Sequence, residues 1–483
     1  MKIESIQLKH TLHFTDLQAK FNCHEQPVAL ILGDQSSGKT SILRFTYQAL
    51  TWFAARYKDL RTAGVVMLDQ DIMLNRLQAK IDVQISYPAE MGKLSSSHDL
   101  PLNGPESQQA ASDTDHFHCS WQLYKTLNSQ GMGISKAETP QLEELAARYQ
   151  RALKDDPLLG LPLIAYYPAE RFVNEVNLLN KNNPAIFQPA HAYEISAIPF
   201  TTFSRFFEWF REICDIENAQ SAQMVQDILH KSKSGAAAEI KSDSFFASRI
   251  TQALAEMHAP ALQSLRRALA IVLPEFSNIY LQYHPKLQLM VTYQGQTMLF
   301  QQLSNSIRNL TALVGDIVRR MCLLNPASLY PCEEGEGILL IDAIDHQLDQ
   351  NMAQAILPAL HQAFPRLQII ATGNRPELLE QASAFQCFKL ENKQLSSIQT
   401  EPQQFEEIYA QLYSEGSLLP AETDSQPSLL QEPPADMPTA ESLLPQIQRQ
   451  LDGEQQQELI RLLNGAAPAS AAGPCFKACS SAQ

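Results

Sequence analysis

Eight consecutive residues, Gly33-Asp34-Gln35-Ser36-Ser37-Gly38-Lys39-Thr40, have the types and spacing of a phosphate-binding loop, GxxxxGK[ST], without a mismatch. Gly33 and Gly38 let the backbone curl so that successive N–H groups point inward at phosphate oxygens. The positive end of a following helix adds to that attraction. Lys39 is then the mobile charge for the β- and γ-phosphates of a nucleoside triphosphate, and the Thr40 hydroxyl is a ligand for Mg²⁺. Such a loop works only between a strand and a helix. The apolar run at 28–32 reads as a buried strand, and a helical pattern runs from about Ser41 to Tyr57.

Three later segments follow in the order that nucleotide chemistry needs. Leu303-Ser304-Asn305-Ser306-Ile307-Arg308 leads into a helix. Residues 337–341 form an apolar strand ending in Asp342, a carboxylate placed where Mg²⁺ would sit. Residues 367–372 form another buried strand, whose end would lie beside that carboxylate in a parallel sheet.

The chain of 483 residues is long enough for two or three structural units, and its 45% apolar content is ordinary for a globular protein. No run reaches the ~18 apolar residues of a membrane span, and Met1-Lys2-Ile3-Glu4 lacks a signal-peptide core, so a cytoplasmic location is expected. The eight cysteines are dispersed without a CxxC pair, and no disulfides are expected. Of the net charge of -15, residues 400–483 carry -9 (twelve acidic, three basic). No basic stripe is visible, so charge gives no support for nucleic-acid binding.

Along the chain, strands are expected at 2–9, around Phe14, and at 65–72, where Asp69-Gln70-Asp71 could approach a nucleotide. Strands are also expected at 81–87, 117–127, 161–168 and 278–291. A long exposed loop is expected at 90–115, a loop at 174–198 and a helix at 140–154. The aromatic residues Phe206, Phe207, Trp209 and Phe210 recur at helical spacing and read as core. A polar helix with a flexible stretch is expected at 218–245, and a long helix at 246–273 with Arg266 and Arg267 on its surface.

The segments GDQSSGKT (33–40), LPLIAYYPAERF (161–172), FSRFFEWFREICDIEN (203–218), LSNSIRNLTALVGDIVRR (303–320), GILLIDAIDHQL (337–348) and ILPALHQAFPRLQIIATGNRP (356–376) carry a resemblance. Together they are similar to the small ABC-type, AAA-family ATPases related to the SMC and overcoming-lysogenisation families. In particular, they resemble the standalone ATPases found in bacterial phage-defence systems such as Septu and some retrons. The resemblance covers residues 1 to about 395. It implies an α/β fold, an ABC-type P-loop head with a mixed β-sheet and a helical insertion, followed by a flexible C-terminal tail. It implies a nucleotide-binding lobe at 1–80, a strand and helical insertion at 81–295, and a C-terminal lobe at 296–395. It also implies ATP and Mg²⁺ as cofactors, with Ser304 in the signature segment and Thr40 and Asp342 at the metal.

Three departures from the family pattern concern hydrolysis. Ala343 stands where the family has the glutamate that activates water, Ser306 where the signature has glycine, and Asn374 where the family has its switch histidine. No catalytic residue is therefore intact. The expected function is an ATP-binding regulatory ATPase or pseudo-ATPase of a bacterial complex, in phage defence or DNA maintenance. A slow ATPase with a replacement base, Asp345 or a glutamate of 333–336, and a nucleotide-independent scaffold are the alternatives. The resemblance implies a homodimer, or a heterodimer with an intact ATPase, and an effector such as a nuclease.

Beyond the resemblance, 396–438 reads as a helix and a Pro/Ser/acidic linker, and 439–465 as a short amphipathic hairpin suited to docking a partner or to folding back. Residues 466–483 read as disordered.

Overall fold

Four apolar runs that do not alternate with polar residues become neighbouring strands of one sheet, buried on both faces as parallel strands must be. The computed structural model describes residues 1–94, 116–156, 159–173, 178, 189–193, 200–201, 203–233, 260–380 and 384–398. All belong to the unit Met1–Tyr413. The sequence-based expectations for 95–115, 234–259 and the tail from 399 onward lie outside the described residues.

The chain opens with β1 (Lys2–Thr11), β2 (Phe14–Lys20), β3 (Val28–Gly33) and α1 (Lys39–Lys58). Next come β4 (Gln78–Pro88), β5 (His116–Leu127), β6 (Gly133–Glu138), α2 (Pro140–Asp155), β7 (Leu163–Tyr167), β8 (Glu170–Arg171) and β9 (Phe200–Thr201). Then follow α3 (Ser204–Lys233), α4 (Pro260–Val272), β10 (Phe276–Gln282), β11 (Gln288–Tyr293), β12 (Gln296–Leu299), α5 (Asn305–Leu324) and α6 (Pro331–Glu334). The described chain ends with β13 (Gly337–Ile341), α7 (Gln350–Ala363), β14 (Leu367–Gly373), β15 (Gln386–Glu391) and β16 (Gln394–Ile398).

The central sheet runs β16-β15-β3-β14-β13-β7 and is parallel apart from β16. Its register aligns the ends that matter: Gly373 lies opposite Leu32, and Ile341 lies between Ala371 and Tyr167. Gly33, Asp342, Asn374 and Pro168 thus emerge at one carboxyl edge, the edge where ligands of such sheets bind. A second, antiparallel sheet (β2-β1-β4-β5-β6) alternates buried and open positions, so one of its faces packs on the core. Trp121 of this sheet fixes it to α1 by donating its indole N–H to the Ala49 carbonyl at 3.1 Å.

The aromatic stripe is core. Phe206, Phe207, Trp209 and Phe210 are all buried, and Phe206 lies so close to α5 that a Cβ on Gly315 would come within 2.3 Å of its ring. Two expectations are corrected. With no glycine or proline between Ser204 and Lys233, the aromatic and polar stretches form one helix, α3, instead of two. Residues 65–72 are not a strand: one isolated bridge, Ile72 to Thr11, is all the pairing found, and Asp69–Asp71 form a 3₁₀ turn. The apolar run there has no neighbouring strand to complete a ladder. Its carboxylates hold the turn in place, Asp71 on Arg44 at 2.8 Å and Asp69 on Lys125 at 2.9 Å.

Candidate functional site

Strand β3 ends at Gly33, the loop turns through exposed Asp34, Gln35 and Ser36 and half-buried Ser37, and α1 starts at Lys39 with Thr40 exposed in its first turn. Gly38 has φ 109°, in the left-handed region that favours glycine. A Cβ at Gly38 would also come within 2.2 Å of the His13 ring in the β1–β2 turn. Lys39 is 8% exposed, and its ammonium spans the loop, donating to the carbonyls of Gly33 and Asp34 at 2.7 Å each. Burial lowers its pKa, and the charges of Asp342, Asp345 and Asp34 partly offset that. The register and this electrostatic coupling bring the loop, the end of β13 and the end of β14 together.

Asp342 is 2% exposed. Its Oδ1 accepts the Thr372 hydroxyl at 2.5 Å, while its Oδ2 is buried with no partner among the described residues. A buried carboxyl oxygen without a partner is costly unless a cation or donor completes it. Thr372 in turn accepts the Ala343 N–H at 2.8 Å, so β14 steers the carboxylate and the residue after it. The arrangement of a glycine loop between β3 and α1, with the carboxylate strand one strand removed across β14, decides the architecture.

The fold is that of an α/β P-loop head. The chain is similar to the retron Ec83 probable ATPase of Escherichia coli (26% identity over 428 residues, 82% of this chain and 72% of that protein). It is similar too to the retron Vc95 probable ATPase of Vibrio cholerae (24% over 399 residues, 78% and 71%). Among solved structures, it is similar to an Smc head bound to the C-winged helix domain of ScpA (12% identity, TM-score 0.42, covering 84% of this chain and 100% of that one). Another is the recombination mediator RecF (11%, TM-score 0.35, covering 82% and 98%). No protein-family model matches the chain.

In this head Ala343 follows Asp342 with φ 43°, a left-handed backbone for a residue with a Cβ. Its conformation is imposed from outside. Arg171, 8% exposed, donates to the carbonyls of Pro168 (2.9 Å), Asp342 (2.5 Å) and Ala343 (2.8 Å). Burial lowers the Arg171 pKa to about 10, against the opposing charges of Asp342 and Asp345. Asp345 is buried too, and its Oδ2 accepts the N–H groups of Asn374 and Arg375 at 2.9 Å each. It brackets the turn after β14.

Ser304 caps α5, its side chain accepting the Ile307 N–H at 3.4 Å. Ser306 donates its hydroxyl to the Gln347 carbonyl, and Asn309 donates to the Gln347 side chain at 2.9 Å. No hydrogen bond among the described residues leads from 303–309 to the loop 33–40.

Sequence reasoning missed the roles of Thr372 and Arg171. Thr372 had a readable signal, a hydroxyl at the end of an otherwise apolar strand next to a carboxylate strand. Arg171 lay in a quoted segment, but nothing in its spacing reveals a buried guanidinium. The six described cysteines outside the tail are free thiols, five of them buried. Among the described residues, no helix is long and apolar enough to cross a membrane.

Proposed function

We propose that this chain binds Mg-ATP through Gly33–Thr40 and hydrolyses it slowly or not at all, acting as a nucleotide-dependent regulatory subunit of a bacterial phage-defence or DNA-maintenance assembly. The observation that carries the reading is the unpartnered Asp342 Oδ2, buried at the sheet edge where the loop and Lys39 converge. Asp342 and Thr40 are the protein oxygens offered to Mg²⁺, which keeps several ligands for phosphate and water. Bound Mg²⁺ would neutralise phosphate charge. Lys39, released from two loop carbonyls, has ammonium protons for phosphate oxygens.

The weak-turnover part rests on Ala343, which has no side-chain group to take a proton from water. Asp345 is a poor replacement base, because one of its oxygens is committed to two backbone N–H groups. Similarity to retron ATPases supports the defence setting. The partners expected are a second ATPase subunit, identical or intact, and an effector such as a nuclease.

The test is Mg-ATP thermal stabilisation measured beside turnover, on the wild type and Lys39→Ala. Saturating nucleotide at ~100 Kd stabilises a binding protein by about 2.7 kcal/mol, and this shift is expected in the wild type and lost in Lys39→Ala. Lys39-dependent hydrolysis at ordinary ATPase rates would overturn the weak-turnover reading. No shift in the wild type would leave the scaffold.

A further inference from the structure

The hydrogen-bond network around the loop commits one cation after another and leaves Arg375 over. Arg44 is held by Asp71, Arg171 by three carbonyls, and Arg319 and Arg320 by Asp316. Arg375 is half-buried, yet among the described residues its guanidinium has no ion pair or hydrogen bond. A guanidinium is a fork of five donors suited to carboxylate or phosphate oxygens, and partial burial without an anion leaves its charge uncompensated.

The position of Arg375 is fixed from three sides. Parallel pairing puts Gly373 opposite Leu32, so residues 374 and 375 leave the sheet level with Gly33 and Asp34. Asp345 Oδ2 holds the N–H of Arg375 at 2.9 Å, and Pro376 keeps Arg375 extended at φ -89° and ψ 134°. The neighbouring side chain, Asn374, has no charge to offer an anion.

Resting on the Mg-ATP reading, we infer that Arg375 supplies a cation to the terminal phosphate of a bound nucleoside triphosphate, and so lets this site distinguish triphosphate from diphosphate. Lys39 serves either nucleotide through the loop; Arg375 adds its charge only where a third phosphate extends to the end of β14. Asp345 acts as a positioning residue for it.

The experiment is calorimetric binding of ADP, ATP and a non-hydrolysable ATP analogue to the full chain with Mg²⁺, for the wild type, Arg375→Ala and Arg375→Lys. Arg375→Ala is expected to weaken ATP and the analogue by roughly 10- to 100-fold, the loss of a charge-assisted hydrogen-bonded contact, with ADP affinity unchanged. Arg375→Lys should recover part of the loss. Melting without nucleotide checks the fold, and Arg375→Gln replaces Arg375→Ala if that variant does not fold. Equal weakening of ATP and ADP, or no weakening of either, overturns the inference while nucleotide binding stands. A wild type that binds neither nucleotide overturns the inference together with the Mg-ATP reading.

Discussion

Asp316→Ala is expected to destabilise the protein by about 3–5 kcal/mol, the cost of removing one partner from a buried charge cluster. Asp316 lies inside α5 at 3% exposure. Its Oδ1 takes the Arg319 Nε at 2.8 Å, and its Oδ2 takes the Arg320 Nε and the Tyr167 hydroxyl, each at 2.8 Å. Arg319 and Arg320 are 1% and 4% exposed, so alanine would take the Asp316 carboxylate away from two buried guanidinium groups. The damage reaches the site, because Tyr167 ends β7 and its carbonyl holds the Asp342 N–H at 2.8 Å. A lower denaturant midpoint measures the loss, and a midpoint unchanged within error would refute the assignment.

The same cluster sets a pH dependence. Burial pushes the Asp316 pKa up, but the charges of Arg319 and Arg320 more than offset this and hold it well below the usual carboxylate range. A carboxylate depressed on folding contributes stability that is complete above its unfolded value, ~3.9, and is lost as pH falls through the lower folded value. The stability difference between the wild type and Asp316→Asn should therefore stay level from pH 8 to 5 and shrink only in stronger acid. A difference that shrinks around neutrality would point to another group.

What the sequence reveals of this fold is what local pattern can encode. The apolar runs of β3, β7, β13 and β14 are short enough to read as buried strands, and the loop motif called for a strand before it and a helix after it. Residues 65–72 have the same strand-like composition and fail to form a ladder, because a strand needs a neighbour and composition does not name one. The site divides along the same line. Asp342, Lys39 and Ala343 are visible as positions within motifs. The guanidinium of Arg171 on the carbonyls of 342 and 343, the Thr372 hydroxyl on Asp342 and the Asp345 bracket join residues 29 to 172 apart in sequence, and no single-sequence spacing reports them.

Ala343→Glu is expected to raise single-turnover ATP hydrolysis by ~10²-fold or more, the usual contribution of a positioned general base. Two hydrogen bonds and the backbone conformation already aim this position. The Ala343 N–H is held by Thr372, its carbonyl is held by Arg171, and its backbone sits at φ 43°, so a glutamate would inherit the direction of an existing Cβ and add no new steric demand at the backbone. The charge balance sets the cost. Lys39 and Arg171 lie among the carboxylates of Asp342, Asp345 and, at the loop, Asp34, and one more carboxylate beside them would add negative charge to the site and weaken nucleotide affinity. Rate must therefore be read at saturating Mg-ATP. Ser306 and Asn374 remain in place, so the gain should stop short of a full ATPase. Ala343→Gln, of equal size but without a base, separates proton transfer from packing, and Lys39→Ala in the Ala343→Glu background should abolish the gain. If glutamine accelerates the reaction as much as glutamate, proton transfer at position 343 is not what limits this site.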